Sequence, residues 1–526
     1  MTMKVYFKKH LGEVLLASFL LLSNSVLQVY AATRMAQLAN YLIERKLLYF
    51  SKTLLIIFTL WFSTFIISLL ESYVQETVTQ NILTDIRAEI TNNIIGLTQS
   101  EFKSKPVDYY ESYLQNDTNM IQKEGIETFF LIIRFSGNAL FSLIALYAYN
   151  ISLFIAAIIL VTIMTIVPKI CKNYLANGIK GVSEANEKFL KITSSGLHGY
   201  ETLYAFNVLA ELKRLVNNGS NLLKHANVKN TVRRSIIGIV TGVINIGSQL
   251  IILGITGYLH FQGLLTAGAI LATAELATKV FDSINIVDRY FSQLLSTTSL
   301  FEKFGKLVPS RNFKCNTQNL DETNLLTKFV SLSFKNVYFS YPGSKNQILT
   351  NFSFTFNRNN FYKLNGKSGS GKSTLLKLAT NQLQPQKGKI LLNGIDIKTI
   401  PQTIINNIII YVPQTVTIFP QSIDYNIKLG RNVNSQLLEK VKNIYKINND
   451  WHPDSLSGGE QQRVALARLL NPKDKLILLD ESFSNIDLKS TKDILNNLLN
   501  QVETVIMVSH RSQEIDPKLF KSIDIK

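Results

Sequence analysis

The residues Gly366-Lys367-Ser368-Gly369-Ser370-Gly371-Lys372-Ser373-Thr374 fit G-x-x-x-x-G-K-[ST] at every fixed position. An apolar run at 361–364 precedes them and Leu375-Leu376-Lys377-Leu378 follows. Strand, glycine-rich turn and helix start are thus expected in the order that a phosphate-binding loop requires. The glycines let backbone N–H groups turn inward on a polyphosphate, and the helix N-terminus adds partial positive charge. Lys372 can then reach the β- and γ-phosphates, and the Ser373 hydroxyl can ligate Mg2+. A chance Gly/Ser loop rarely meets all of these conditions, so ATP and Mg2+ are the expected cofactors. Further on, Leu476-Ile477-Leu478-Leu479-Asp480-Glu481 is an apolar run closed by two carboxylates. Asp480 is placed to hold Mg2+ and Glu481 to polarise an attacking water as general base. Taken alone, that run is also an ordinary strand ending in acids. Upstream of it, Ser457-Gly458-Gly459 opens an expected helix, a second N-terminus suited to an anion.

These groups must be positioned by a chain of 526 residues, too long for one core, so two or more domains are expected. Mean hydropathy is positive, +0.13, which points to membrane segments. Six apolar stretches precede residue 300, at roughly 12–38, 52–73, 128–148, 151–169, 235–258 and 264–288. Each is near the ~20 residues that cross a bilayer. The chain carries 55 Lys and Arg against 37 Asp and Glu, a formal charge of +18. Nucleic-acid binding and retention of cytosolic loops both fit such a balance. The connection 170–234 holds Lys172, Lys180, Lys188, Lys191, Lys213, Arg214, Lys224, Lys229, Arg233 and Arg234, whereas Asn150 and the link 257–266 hold none. The connections 74–127 and 170–234 are therefore expected in the cytosol and the short hairpins outside, and nucleic acid is not an expected partner.

Apolar residues recur at three and four within those connections (Ile82, Ile86, Ile90; Leu203, Phe206, Leu209, Leu212), so the helices should run on from the membrane into the cytosol. Lys4, Lys8 and Lys9 precede the first stretch, with only Tyr30-Ala31-Ala32 as a weak cleavage site, so a retained first membrane helix is expected. Cys171 and Cys315 suit neither a disulfide framework nor a metal site. In the sixth stretch Glu275, Lys279, Asp282 and Arg289 share one helical face. A charge facing lipid at mid-bilayer costs about 2.5–3.5 kcal/mol, so this stripe should face the interior or a water-filled cavity. Glu275, Lys279 and Asp282 are candidates for substrate contact, the plainer alternative being a ladder of mutually neutralising ion pairs.

Residues 305–328 are polar and read as a linker. Beyond them short β-branched runs at 334–341, 352–356, 361–364, 390–392, 408–412, 476–479 and 504–508 alternate with helices, the pattern of an α/β nucleotide-binding domain.

In this order and spacing the motifs resemble the ATP-binding cassette family. The resemblance implies that Ser457, Gly458 and Gly459 complete the ATP site of the opposite subunit. Gln414, in Tyr411-Val412-Pro413-Gln414, is similar to the glutamine that contacts Mg2+ and senses the membrane domain. His510 is similar to the switch histidine at the γ-phosphate, Asp487 to the aspartate of the D-loop, and Tyr341 to the aromatic that stacks on adenine. The membrane half resembles exporters that fuse six helices to one cassette. The implied fold is a membrane α-helical domain of six transmembrane helices with long cytosolic extensions, followed by an α/β P-loop ATP-binding cassette. Its expected boundaries are 1–304 for the transmembrane domain, 305–328 for the linker and 329–526 for the cassette. Stretches 107–117 and 195–206 look like the two intracellular loops, each with a short coupling helix.

The sequence departs from the family pattern in three places. Glu460 replaces the usual glutamine, and Asp450-Trp451-His452-Pro453-Asp454 replaces a Gly-Glu-x-Gly lead-in that contacts the partner's coupling helix. A cysteine-peptidase segment ahead of the first stretch is missing, so leader cleavage by this chain is not expected. The implied function is ATP-driven export of an amphipathic peptide, drug or lipid by alternating access in a dimer. The partners would be a second copy or a related half-transporter, membrane lipid and the substrate. The alternative is a membrane ATPase acting as a sensor or immunity subunit without net transport. A composition rich in Asn, Lys and Ile suggests an AT-rich bacterial genome, hence a multi-pass protein of the bacterial cytoplasmic membrane with its cassette in the cytosol.

Overall fold

The structure, a computed structural model, describes residues 3–305, 327–341, 346–367, 369–509 and 519–525. Six long helices stand at the six apolar stretches: Leu11–Ile43 (α1), Leu47–Ile95 (α2), Thr128–Tyr149 (α3), Ile151–Ile170 (α4), Ala210–Phe261 (α5) and Ala269–Gly305 (α6). Among the described residues, four helices are long and apolar enough to cross a membrane: α1, α2, the continuous Val107–Tyr149 that contains α3, and α5. Ile151–Ile166 of α4 is a shorter apolar stretch, and α6 is less apolar because it carries the charged stripe. At ~1.5 Å per residue the 49 residues of α2 span about 74 Å and the 52 of α5 about 78 Å. The hydrocarbon core is only about 30 Å thick. Both helices therefore continue well past it, as their periodicity indicates.

Side chains set the turns between these helices. Asn150 leaves helical geometry (φ −165°, ψ 139°), which ends α3, and its Oδ1 accepts the Ser152 N–H at 2.9 Å to open α4. Asn40 of α1 holds the α5–α6 connection from both ends of its amide. Its Nδ2 donates to Thr266 Oγ1 at 2.9 Å, and its Oδ1 accepts from Gly268 N at 2.8 Å. A Cβ at Gly268 would run into the Ala36 carbonyl oxygen, so only glycine lets the connection approach α1 this closely.

Helix α1 packs on α2, α3 and α6, while α5 packs on α4, α6 and the helix Lys172–His198. Leu146, Leu153, Ala157, Ile252, Leu276, Ala277, Val280 and Phe281 fill the core between α3, α4, α5 and α6. Within the bundle Glu71 of α2, only 1% exposed, is ion-paired to Arg134 of α3. Asn24 of α1 completes the cluster, its Nδ2 donating to Glu71 Oε2 at 3.2 Å and to Ser68 Oγ at 2.8 Å. Ahead of α3 the helix is π-helical over Tyr113–Asp117 and again over Ile121–Glu127. Asp117 in the first of these runs is bonded by Lys303 of α6 at 2.5 Å, and the same ammonium lies 4.4 Å from the centre of the Tyr113 ring.

The chain forms two compact units, the first comprising Met1–Leu97 and Lys105–Ser310, the second Thr98–Ser104 and Arg311–Lys526. The connector Thr98–Ser104 contains a short helix, Gln99–Lys103, closed by a capping box between Thr98 and Glu101. It belongs to the second unit, whereas the stretch 107–117 is helical and belongs to the first. The other expected intracellular loop contains the short helix Tyr200–Ala205.

The second unit is built on two sheets. An antiparallel one has the order β2-β1-β4-β5, from Leu349–Asn357 (β2), Ser331–Phe339 (β1), Lys387–Leu392 (β4) and Ile395–Asp396 (β5). A parallel one has the order β6-β7-β8-β3-β9, from Ile409–Val412 (β6), Leu476–Asp480 (β7), Thr504–Val508 (β8), Phe361–Asn365 (β3) and Lys521–Asp524 (β9). Strands β7 and β8 are buried at every residue, as continuous apolar runs in a covered parallel sheet must be.

Arg134→Met leaves the Glu71 carboxyl buried without its cation and is expected to cost about 3 kcal/mol of stability. Glu71→Gln should cost less, because the Arg134 side chain is 40% exposed and can still reach water. The Glu71→Gln/Arg134→Met double variant should regain part of the loss. Apparent melting temperatures of the detergent-solubilised protein check this, and a double variant no better than the worse single would refute it.

Candidate functional site

Parallel strands bring their C-terminal ends to one edge of a sheet, and ligands of open α/β sheets bind along that edge. Here β3 ends at Asn365 and the loop that follows turns through Gly366 (φ 152°), Gly369 (φ 83°) and Gly371 (φ 92°) into the helix Lys372–Ala379 (α7). At Gly371 a side chain would be both strained and in contact with Ile348 Cγ2 at 2.7 Å. Lys372 is nearly buried, and its ammonium donates to the carbonyls of Gly366 at 2.8 Å and Lys367 at 2.9 Å. The helix thereby grips its own loop.

Three elements converge on one carboxylate at this edge. Ser373 Oγ of α7 donates to Asp480 Oδ1 at 2.9 Å, and the Tyr411 hydroxyl of β6 donates to Asp480 Oδ2 at 2.9 Å. Burial, reinforced by the Asp480 charge, pushes the Tyr411 phenol far above its usual range, so it stays a donor. Glu481 follows with φ 49°, left-handed backbone that a non-glycine residue adopts only where its surroundings over-determine it. Its N–H donates to the Val508 carbonyl at 3.1 Å, and its Oε2 accepts from Gln414 Nε2 at 2.7 Å. Tyr341 lies at the same edge, its hydroxyl 3.2 Å from Thr374 Oγ1 and its ring edge-on to Phe339. Hydroxyl, carboxylate and amide oxygens at one edge form a hard donor set suited to a small divalent cation.

Ser457, Gly458 and Gly459 lie elsewhere in the unit. Ser457 caps the helix Gly458–Ala467 (α8) in a capping box with Glu460, whose Oε2 accepts from both Ser457 N and Ser457 Oγ at 2.8 Å. Glu460 therefore performs the capping that a glutamine would also perform. Gly459 is required by contact, since a Cβ there would meet the Asn485 carbonyl at 2.6 Å. Among the described residues no hydrogen bond joins Ser457 to the glycine-rich loop. The link to Glu481 runs instead through Gln462, buried in α8, which donates to Ser484 Oγ and accepts from Asn485 N, both at 2.9 Å. Asp487 caps the next helix through Ser490 N at 2.8 Å and accepts from Arg463 Nη2 at 3.2 Å; these donors hold its carboxyl below the usual range.

The structure thus brings three hydrogen-bonded sets to one edge: Tyr341 with Thr374, Ser373 with Asp480, and Gln414 with Glu481. Ser368 and His510 lie outside the described residues, as does most of the expected linker. Tyr411 and Gln462 are the partners that sequence reasoning passed over. Tyr411 stands inside a quoted motif and Gln462 three residues beyond one, but their roles arise from strand pairing and helix packing that no local spacing encodes.

The family described as "ABC transporter" matches residues 349–484, and the family described as "ABC transporter transmembrane region" matches residues 7–284. An export ATP-binding/permease protein of Rickettsia typhi is 27% identical over 97% of this chain and 91% of its own length. A lactococcin-A transport/processing ATP-binding protein of Lactococcus lactis is 25% identical over 84% of this chain and 63% of its own length. The fold is similar to that of a bacterial Atm1-family ABC exporter with ATP bound, with a TM-score of 0.76 at 20% identity over 100% of this chain and 94% of that one.

Gly459→Ala must displace the Asn485 carbonyl and, through Asn485 N and Gln462, the segment that follows Glu481. ATP turnover by the purified protein is expected to fall at least about tenfold, while a fluorescent ATP analogue should still bind the loop around Lys372. Unchanged turnover would mean that the Asn485 turn gives way freely.

Proposed function

The chain belongs to the ABC transporter family and is a multi-pass, ATP-hydrolysing membrane protein with a cytosolic cassette; from that premise we propose that it exports an amphipathic substrate by alternating access as a dimer. The observation that carries the reading is the bonded group at the sheet edge, Ser373–Asp480–Tyr411 beside Gln414–Glu481. It lies in a chain whose α2 and α5 run unbroken far past membrane length. Residues 1–304 carry the substrate path and 329–526 the ATP chemistry, joined by 305–328.

Each site residue has a task in this reading. The Tyr341 ring stacks on adenine. Backbone N–H groups of Gly366, Lys367, Ser368, Gly369, Ser370 and Gly371 receive the phosphates, with Thr374 completing the first turn. Lys372 exchanges its two carbonyl partners for phosphate oxygens, which places its charge where negative charge accumulates. Ser373, Gln414 and Asp480 would hold Mg2+, which would supply positive charge to the bound phosphates. Glu481, oriented by Gln414, takes the proton of the attacking water, and His510 contacts the γ-phosphate.

Ser457, Gly458, Gly459 and Asp487 serve the nucleotide of a partner cassette, either a second copy or a related half-transporter. This division fits the absence, among the described residues, of a bond between Ser457 and its own loop. Two ATP molecules close the cassettes, the long helices turn the cavity outward, and hydrolysis resets it. In the substrate path the stripe on α6 supplies Glu275, Lys279 and Asp282.

The deciding experiment is reconstitution in lipid vesicles. ATP-dependent accumulation of an amphipathic dye on the side away from the cassette is expected; robust ATP turnover with no flux of any amphiphile would instead describe a sensor. Glu481→Gln should lower phosphate release by about 10²–10⁴-fold while ATP binding persists, because only the base is lost. Near wild-type release would move the base to another residue.

A further inference from the structure

The charged stripe on α6 is not uniform. Glu275 and Lys279 are paired at 3.8 Å, and Lys279 Nζ also reaches Gln28 Oε1 of α1 at 3.5 Å. That part of the stripe is neutralised and turned toward α1. Asp282, three residues further on, is exposed, and among the described residues it has no cation within ion-pair distance. It lies 13 residues from the outer start of α6 at Ala269, about 20 Å along the helix axis and so within the depth of the hydrocarbon layer. An unpaired carboxylate at that depth is not left in lipid.

A directional chain of side chains holds this carboxylate in place. Thr278 Oγ1 donates to Gln249 Oε1 at 3.0 Å, Gln249 Nε2 donates to Asn245 Oδ1 at 2.7 Å, and Asn245 Nδ2 donates to Asp282 Oδ1 at 2.7 Å. Asn245 is buried on α5; its amide oxygen accepts from Gln249 while its Nδ2 faces the acid. The chain directs one oxygen at α5 and leaves Oδ2 with no partner among the described residues. One turn toward the cytosol a small cleft opens between α4, α5 and α6, lined by Met164, Thr165, Thr241, Ile244, Asn285 and Asp288. Its walls mix methyl and hydroxyl groups, and Asp288 places a carboxylate there in addition to Asp282 outside it. The nearby cation, Arg289, lies over the Tyr290 ring, 5.1 Å from its centre.

We infer that Asp282 is the anchor for a positively charged group on the transported molecule, which makes the substrate class cationic amphiphiles: an ammonium, guanidinium or phosphonium centre on an apolar body. This rests on the export reading above and adds the sign of the substrate's charge. The Asn245–Gln249–Thr278 chain orients the acid, the cleft receives apolar surface, and the Glu275–Lys279 pair, already neutralised, lines the path beside it.

Tetraphenylphosphonium and tetraphenylborate test it, because they share size and shape and differ in charge. Equilibrium binding of each is measured to the full-length protein in dodecyl maltoside, with melting temperature as a check on folding. The wild type should bind the phosphonium in preference to the borate. Asp282→Asn should weaken phosphonium binding about tenfold or more, and Asp282→Glu should restore most of it. Equal binding of the two ions, or phosphonium affinity unchanged in Asp282→Asn, overturns the assignment. So does a loss in Asp282→Asn that matches a fall in melting temperature and is shared by Asp282→Glu, since Asp282 would then be a structural contact with a second copy. Asp282-dependent binding without ATP-driven flux keeps the cation site and removes the export reading; flux of the borate alone does the reverse.

Discussion

The carboxylate of Asp480 is the point on which the cassette depends. It stands at the end of a strand with no exposed residue and accepts one hydroxyl from the glycine-rich loop's helix and another from the neighbouring strand. A buried charge of this kind is tolerated only when its lone pairs are occupied. Ser373 and Tyr411 meet that condition, and in doing so fix the loop, β6 and β7 relative to one another. Everything at the nucleotide edge inherits this placement. Glu481 can hold its left-handed backbone because the strand before it does not move, and Gln414 reaches Glu481 because β6 ends beside β7.

The membrane unit applies the same rule in a different solvent. Apolar side chains pack its helices, but the groups that distinguish one helix pairing from another are polar. Glu71 with Arg134 and Asn24 joins α2, α3 and α1, and Asp282 with Asn245 joins α6 to α5. Such groups are expensive in a bilayer unless paired, so they specify neighbours more sharply than leucines do.

Much of this was legible in the chain itself. The glycine-rich loop, the two closing carboxylates and the Ser-Gly-Gly turn are local patterns whose geometry is set within a few residues, and the structure places each at the end of a strand or the start of a helix. The six apolar stretches and the central strands β7 and β8 were equally plain, because helices that face lipid and strands covered on both faces are apolar along their length. Four things were not. Strand β9 is short and mixed, Lys521–Asp524, and exists because β3 offers it an edge. The unit to which Thr98–Ser104 belongs is a matter of tertiary packing. The ion pair of Glu71 joins residues 63 apart in sequence, a separation at which no periodicity survives. The charged stripe on α6 was visible as a stripe, but not its division into a closed pair and an open acid, which depends on Gln28 and Asn245 from other helices.

The π-helical runs below α3 have a consequence for chain length. The buried face there runs through Tyr113, Asp117, Thr118, Ile121, Gly125, Ile126, Thr128 and Phe130, on a backbone whose hydrogen bonds close over five residues instead of four within the two runs. Each run therefore holds a surplus residue relative to an α-helix joining the same two ends. Removing one residue from Ile121–Glu127 lets that turn close as ordinary α-helix, with the faces above and below kept in phase. The same deletion in a straight helix such as α1 would rotate everything beyond it by about 100°. This segment can absorb a change in length that its neighbours cannot, so an alignment gap in a relative belongs here before it belongs in any other membrane helix.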